Sequence, residues 1–228
     1  MAVLIFIGFL VLIIAGGIYS YRQTAKRRLA LSALAAEQGW TFNPDNDSEL
    51  ITRFSPLKCL EQGSNRYAYN VLTGKYRNRS LCAFDYHYET YSTDSKGNHQ
   101  TNHHVFSVAV LETELPLKPL LIRPEGFFDR IGEFFGMDDI DFESDEFSRT
   151  FHVSSPERRW AFDVIHQATM EFLLAAPRFT IELSGSRVVV FRSSCFDPPE
   201  FEAALSVAAG IVERLPNYLL REWKGAVR

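Results

Sequence analysis

Residues 80–92 read SLCAFDYHYETYS, a run in which polar side chains alternate with small or aromatic ones. Successive side chains of a β-strand point to opposite faces, so this period of two predicts a strand with one aromatic and one polar face. The aromatic face carries Cys82, Phe84, Tyr86 and Tyr88, and the polar face carries Asp85, His87 and Glu89. The segments on either side of this strand indicate the kind of sheet to which it belongs.

Alternating segments flank this strand on both sides. RYAYNVL (66–72) comes before it, and HHVFSVAVLETEL (103–115) follows it after a polar loop. Loops of this length join antiparallel strands, because a parallel crossover needs a dozen or more residues and usually a helix. The sequence therefore predicts an antiparallel meander, with LKPLLIR (117–123) as one more strand.

Beyond Pro124 the apolar period lengthens to that of helices. PEGFFDRIGEFFG (124–136) predicts a short aromatic helix, and SSPERRWAFDVIHQATMEFLLAAP (154–177) predicts a long one. A hairpin turning near Gly185 is predicted next, followed by a final helix capped by Asp197 and Glu200. Strands followed by helices indicate an α+β fold, in which a mainly antiparallel sheet packs against two long C-terminal helices.

The N-terminal segment predicts a transmembrane helix. Residues 2–21 contain no charged side chain, and twenty helical residues cover about 30 Å, the thickness of a bilayer's hydrocarbon core. A cleaved export signal would carry basic residues before its apolar stretch, whereas here the positive charge follows it. Ala15-Gly16-Gly17 is only a poor match to a cleavage site. A permanent anchor is therefore favoured over a signal peptide.

Four cations follow the apolar segment directly, with no acid among them: Arg22, Lys26, Arg27 and Arg28. The positive-inside rule keeps such a flank in the cytoplasm. We therefore expect a single-pass protein of the cell (inner) membrane. Its parts would be a transmembrane helix at 1–21, a juxtamembrane helix at 22–39 that ends at Gly39, and a cytoplasmic domain at 40–228.

Composition limits the partners of this domain. The chain of 228 residues has a formal net charge of −4, and its first 28 residues carry four cations and no acid, so the remainder is more acidic still. An acidic domain is a poor ligand for nucleic acid, whose binding depends on Lys and Arg. Cys59, Cys82 and Cys195 are odd in number and lie far apart, which indicates free thiols in a reducing compartment.

The polar face of the central strand is the first candidate site. Asp85, His87 and Glu89, joined by His103 or His104 from the next strand, offer nitrogen and oxygen ligands for a divalent metal. We take the candidate metal ligands as Asp85, His87, Glu89 and His104. An antiparallel sheet normally exposes a polar face, however, and no metal-binding signature accompanies the group. The sequence therefore favours a solvated face, with no catalytic residue, cofactor or metal assigned.

The acidic segment 138–146 is the second candidate. Its alternating carboxylates are Asp139, Asp141, Glu143 and Asp145. Calcium favours such groups, but Ser144 and Thr150 stand where an EF-hand requires glycine and glutamate. Nearby cations at Arg149, Arg158 and Arg159 favour a structural salt-bridge segment instead. The aromatic helix at 124–136 is a third candidate, for the membrane surface, although core packing is its simpler interpretation.

These segments together resemble an uncharacterised bacterial family of single-pass membrane-anchored proteins with a cytoplasmic domain of unknown function. The resemblance is carried by QGWTF (38–42), NVLTG (70–74), FDYHY (84–88), IRPEGFFDRIGEFFG (122–136), DIDFES (139–144) and EFSRTFHV (146–153). It implies a tethered domain without an assigned activity. It also implies that DIDFES has an architectural role.

The sequence thus predicts a membrane-tethered cytoplasmic domain that binds a protein or membrane partner and has no catalysis of its own. Its expected partners are the lipid bilayer, through residues 2–21, and an unidentified protein. One alternative is a metal-dependent hydrolase that uses the polar face of the central strand. Another is an accessory subunit of a membrane transport or secretion assembly.

Overall fold

The computed structural model describes residues 2–55, 57–93, 97–125 and 140–226. Its elements, in chain order, are α1 (Ala2–Gln38), β1 (Thr41–Asn43), α2 (Glu49–Arg53), a 3₁₀ turn (Lys58–Leu60), β2 (Ser64–Tyr76), β3 (Arg79–Thr93), β4 (His99–Pro124), α3 (Asp145–Thr150), β5 (Phe151–Ser154), α4 (Arg158–Val164), α5 (Gln167–Ala175), β6 (Thr180–Phe191), α6 (Pro198–Glu213) and α7 (Asn217–Ala226). The aromatic helix predicted at 124–136 falls almost wholly outside the described residues.

In the described part of the chain, six strands form one antiparallel sheet in which β1, β2, β3 and β4 are neighbours in that order. β4 pairs with β3 along residues 99–111, with β6 between residues 108 and 122, and with β5 along residues 121–124. An antiparallel sheet with helices, preceded by a long apolar N-terminal helix, confirms the α+β prediction.

Two strand predictions were wrong, because in each case one long strand stands where two shorter strands were predicted. The segments at 103–115 and 117–123 are parts of the single strand β4, and the predicted hairpin at Gly185 is the single strand β6. Gly185 has a φ of 58° and lies at a shift in the β4–β6 register, opposite Leu117. Between the pairs Glu112–Arg187 and Leu117–Gly185, four residues of β4 face one residue of β6, so β4 bulges and β6 continues past the glycine instead of turning back.

The bulge also explains which side chains of β6 are buried together. Ile181 and Leu183 are odd-numbered, yet they share one core with the even-numbered Val188 and Val190. An uninterrupted strand would send these two pairs to opposite faces. The alternation of β6 changes between Leu183 and Val188, where the β4–β6 register is irregular, and both halves of β6 therefore face the same helices.

Both faces of the sheet are covered, in contrast to the one-sided sheet considered from the sequence. One face packs against α1, α4, α5 and α6, and its core includes Leu81, Ala83 and Phe201. The other face packs against α2 and the 3₁₀ turn, with Phe54 stacked on Phe84 at a ring distance of 5.9 Å. Continuous burial on both faces leaves few positions in the middle of the sheet for polar groups.

The C-terminal half of α1 belongs to this core. Leu31 and Ala35, one helical turn apart, are buried against the sheet. The helix ends at Gly39 as predicted, since this residue has a φ of 69° and the N–H of Trp40 donates to the carbonyl of Ala35. The indole ring of Trp40 then covers Gly74, where a Cβ atom would lie 2.7 Å from it. The helix is thus fixed to the domain at its end.

The C-terminal helices differ from the prediction. The predicted long helix at 154–177 breaks at Ile165 and His166 into α4 and α5, and the Nε2 of His166 donates to the carbonyl of Arg214 at 2.8 Å. The helix predicted as the last one, α6, begins after Asp197 as predicted, with Glu200 accepting the N–H of Asp197 at 2.7 Å. The structure therefore has one long C-terminal helix, α6, followed by the shorter α7.

A carboxylate is buried beneath the 3₁₀ turn. The side chain of Glu182, on β6, accepts a hydrogen bond from the N–H of Lys58 through Oε1, while its Oε2 has no hydrogen-bond partner among the described residues. Burial raises the pKa of Glu182 to about 7. The protonated form is therefore favoured in the folded protein.

Glu182→Gln should remove a pH dependence of stability. The folded protein holds the Glu182 proton up to about pH 7, whereas the ordinary pKa is 4.5. The wild-type free energy of unfolding is therefore highest below pH 4.5 with respect to this group, and falls as the pH rises through 7. At pH 8 the variant should be more stable by about 3 kcal/mol, since glutamine carries no charge to bury. Urea denaturation at several pH values measures this difference, and Glu171→Gln, at an exposed carboxylate, should leave the wild-type profile unchanged.

Candidate functional site

Asp85 lies at the centre of the sheet, on the face covered by helices. It follows Leu81 and Ala83 along that face of β3, and its side chain is fully buried. A buried carboxylate is costly unless it is paired and hydrogen-bonded. The hydrogen-bond donors around Asp85 therefore indicate the role of this carboxylate.

Four donors surround the Asp85 carboxylate. Oδ1 accepts from Arg27 Nη2 at 2.7 Å and from the Ser107 hydroxyl at 2.5 Å. Oδ2 accepts from Arg27 Nε at 2.9 Å and from Asn70 Nδ2 at 2.8 Å. The arginine therefore binds the carboxylate with two parallel hydrogen bonds, the strongest arrangement for this pair.

The same cluster reaches the loop before α6. Arg27 Nη1 donates to the carbonyl of Phe196 at 2.6 Å, and the Ser107 hydroxyl accepts the N–H of Phe196 at 2.8 Å. Arg27 comes from α1, Asn70 from β2, Asp85 from β3 and Ser107 from β4. We call these four residues and their contacts with Phe196 the junction, because they join α1 to the sheet.

The chemistry of the junction is structural. Each oxygen of Asp85 already accepts two hydrogen bonds, so the carboxylate has little remaining capacity for a substrate or a metal. The thiol of Cys195 lies beside it, and burial together with the negative charge of Asp85 raises the pKa of that thiol. A protonated thiol is a poor nucleophile. The arrangement thus holds α1 in place and offers no nucleophile.

The other two cysteines are buried free thiols, as the sequence predicted. Burial raises the pKa of Cys82 to about 12 and raises that of Cys59 well above its ordinary value, where Glu182 adds to the effect. Neither thiol is activated for chemistry.

The four cations that were predicted to determine the membrane topology do not all have the same environment. Arg22, Lys26 and Arg28 are exposed, but Arg27 turns inward to Asp85. Sequence reasoning missed this pairing. The available signal was the spacing of Arg27, Leu31 and Ala35, which places the arginine on the buried stripe of the helix.

The predicted metal ligands are only partly brought together. His87 and Glu89 lie near each other and near His103 of β4, and ligand atoms of all three lie within 4.8 Å of one another. Asp85 is held in the junction instead. His104 points to the opposite face of the sheet, where its ring stacks on Tyr88 at 4.6 Å. The register of β3 and β4 thus brings His103, and not His104, to the cluster.

The acidic segment is described from residue 140 onward, so Asp139 lies outside the described residues. Asp141, Glu143 and Asp145 are exposed, and Asp145 pairs with Arg149 at 3.6 Å along α3. Ser144 begins that helix by accepting the N–H of Phe147. The short helix α3 ends at Thr150, and β5 follows it directly.

Comparison with known proteins identifies a similar fold. No protein-family model matches the sequence, and no curated protein matches it. The crystal structure of the mycobacterial trehalose monomycolate transport factor A, TtfA, is similar, with a TM-score of 0.60 and 14% sequence identity. The match covers 86% of this chain and 97% of that chain. At this identity the similarity shows a shared fold.

Proposed function

We propose that this chain is a membrane-tethered accessory factor whose domain binds a protein partner within a membrane transport assembly, without catalysis of its own. In this proposal residues 2–21 lie in the bilayer of the cell (inner) membrane and residues 40–228 face the cytoplasm. The junction is the observation that carries the proposal.

The junction favours a presenting role over a simple tether. A protein that only needs to stay near the membrane works well with a flexible linker, which raises its local concentration there. Here α1 runs without interruption from its apolar half into the core, where Leu31 and Ala35 are buried and Arg27 is bound to Asp85. Such a continuous helix gives the domain a fixed orientation to the membrane, which suits recognition of one neighbour.

The apolar half of α1 supports a membrane location. This helix is long and apolar enough to cross a bilayer, and its side chains, such as those of Phe6 and Leu12, are exposed. The exposed cations Arg22, Lys26 and Arg28 follow this half, and such a flank favours the cytoplasmic side. The same cations are attracted to the anionic headgroups of that leaflet.

Among the possible membrane assemblies, the fold favours one that carries out transport. TtfA, which shares this fold, is described as a transport factor. A metal-dependent hydrolase is less well supported, because Asp85, one of its four expected ligands, is occupied by Arg27. A non-catalytic accessory subunit is therefore the function that these observations support best.

Photo-crosslinking in native membranes tests the proposal. The full chain carries a photoreactive residue in place of an exposed aromatic one, at Tyr91, Phe162 or Tyr218 in turn. A fixed accessory subunit should give one dominant crosslinked protein from at least one position. A five-residue Gly/Ser insertion after Gln23 keeps the anchor and the junction but frees the orientation, and we expect it to reduce that product at least about tenfold.

The control adds the same five residues after Arg228, where they leave α1 unchanged, and the crosslinked product should persist. Products spread evenly over many membrane proteins, or no product at all, would contradict a specific partner. A product unaffected by the insertion after Gln23 would contradict the fixed orientation. Protease access to the domain in sealed membrane vesicles of known orientation tests the cytoplasmic location in the same preparation.

A further inference from the structure

Two histidines and a glutamate converge where β3 and β4 extend beyond the junction. Glu89 and His103 are directly opposite each other in the antiparallel register, and His87 lies two residues before Glu89 on the same face of β3. Opposed residues of neighbouring strands share a face, so all three side chains project together. We call these three residues the His–Glu cluster.

The distances in the His–Glu cluster match those between ligands of one metal ion. Nε2 of His87 lies 3.1 Å from Nδ1 of His103, and that Nδ1 lies 3.4 Å from Oε1 of Glu89. A tetrahedral zinc ion with bonds of about 2.0–2.1 Å separates its ligand atoms by about 3.3 Å. Two edges of the required tetrahedron are thus already present.

Asn65 holds two of the three ligands. Its backbone carbonyl lies 3.1 Å from Nδ1 of His87, and its side-chain amide donates to Oε1 of Glu89 at 2.7 Å. A proton on Nδ1 of His87 satisfies the carbonyl and leaves Nε2 with a free lone pair, directed toward His103. Asn65 adopts a φ of 47°, a conformation that asparagine tolerates better than most residues. The outer contacts of a metal site are therefore in place.

Packing fixes the inner side of the His–Glu cluster and leaves its outer side open. His87 is 6% exposed and stacks on Tyr67 at a ring distance of 4.5 Å. The Tyr91 hydroxyl donates to Oε2 of Glu89 at 3.2 Å. The His103 side chain is 62% exposed, so its ring can adjust when an ion binds.

We propose that His87, Glu89 and His103 form a binding site for one divalent transition metal ion, with Zn²⁺ as the preferred ion. Two imidazole nitrogens and one carboxylate oxygen suit zinc, whereas Ca²⁺ and Mg²⁺ require oxygen ligands. Three protein ligands leave a fourth position for water or for a group from a partner. This site is independent of the junction and goes beyond the proposed accessory role.

The bound ion would connect the ends of three strands. His87 and Glu89 lie on β3, His103 lies on β4, and Asn65 links both β3 ligands to β2. An ion at this point adds a cross-link to the backbone hydrogen bonds and side-chain contacts that already join these strands. Metal binding therefore stabilises this end of the sheet through the binding free energy itself.

Zinc titration of the tag-free full chain in detergent tests the proposal. After chelator treatment, ZnCl₂ is titrated and followed by calorimetry, with one ion expected per chain. His103→Ala should weaken binding at least about 100-fold, since losing a direct ligand costs more than losing an outer contact. His104→Ala is the matched control, because it removes the neighbouring histidine, whose ring lies on the other face of the sheet. It should leave the affinity unchanged.

Two further variants keep the test decisive. His103 is exposed, so its alanine variant should fold, and the thermal unfolding midpoint should rise with Zn²⁺ in the wild type but not in that variant. Asn65→Gly retains the backbone carbonyl and tolerates the positive φ but removes the amide donor to Glu89, so it should weaken binding about tenfold. Co²⁺ in place of Zn²⁺ should give the visible absorption of a tetrahedral complex.

Two outcomes would overturn the site. One is the absence of stoichiometric Zn²⁺ binding by the wild type, which would reduce the His–Glu cluster to a hydrogen-bonded pair of histidines beside a carboxylate. The other is an equal loss of affinity in His103→Ala and His104→Ala, which would indicate unspecific surface binding. Neither outcome affects the crosslinking test, so the two proposals fail or succeed separately.

Discussion

Arg27→Ala should destabilise the domain by about 3–5 kcal/mol, because it leaves the buried carboxylate of Asp85 without its cation. Asn70 and Ser107 would still donate one hydrogen bond each, but neither carries a charge to balance the carboxylate. Urea denaturation of the full chain in detergent measures the effect, with the fluorescence of the buried Trp40 and Trp160 as the signal.

Arg28→Ala is the matched control for this prediction. Arg28 is the next residue of α1 but is exposed, and among the described residues its hydrogen bond is a 3.5 Å contact with the carbonyl of Pro44. Its replacement should cost less than about 0.5 kcal/mol. Removing both charges, as in Arg27→Met combined with Asp85→Leu, should recover most of the stability. Equal stability of the Arg27→Ala and Arg28→Ala variants would show that the junction does not hold α1.

Gly63→Ala should cost at least about 4 kcal/mol, since two unfavourable effects coincide at this position. Gly63 has a φ of 64°, which side chains other than glycine tolerate poorly. A Cβ atom there would also collide with the backbone carbonyl oxygen of Glu89 and lie 2.7 Å from Cδ2 of Tyr88. Because the carbonyl belongs to β3, relief of the collision would require strand movement.

Gly185→Ala separates these two effects. Gly185 has a similar φ of 58°, but a Cβ atom there meets nothing within 4 Å. Its replacement should therefore cost only the conformational strain, about 1–2 kcal/mol. The same denaturation experiment compares the two variants. If both lose the same stability, the close approach of Gly63 to β3 has no energetic consequence.

The local patterns in the sequence predicted individual elements better than their connections. The alternation at 80–92 correctly gave β3, and Gly39 correctly ended α1, because each depends on a few neighbouring residues. The length of β4 was missed. A glycine such as Gly185 is equally compatible with a turn and with a bulge, and only the partner strand decides between them.

The junction could not be predicted from the sequence, for a different reason. Arg27 stands in a row of cations for which the sequence predicted a role in membrane topology. Its pairing with Asp85, 58 positions further along the chain, depends on how α1 crosses the sheet. A buried ion pair between distant residues leaves no periodic pattern in either segment.

The His–Glu cluster shows the same limit at the level of one residue. His87 and Glu89 were placed on one face by the period of β3, but the choice between His103 and His104 depended on the register of β4. A shift of one residue exchanges the faces of a strand. The polar stretch 93–102 does not show in the sequence at which residues the chain turns, so the register could not be predicted from it.

The uninterrupted course of α1 has a geometric consequence. Between Ile18 and Gln38 the helix contains neither glycine nor proline. Adding or deleting one residue ahead of Arg27 would turn the domain by about 100° around the helix axis and move it about 1.5 Å along that axis. A change of seven residues would return the domain to within about 20° of its original rotation about the axis. The number of residues between the apolar half of α1 and Arg27 thus sets the rotation of the domain about the helix axis.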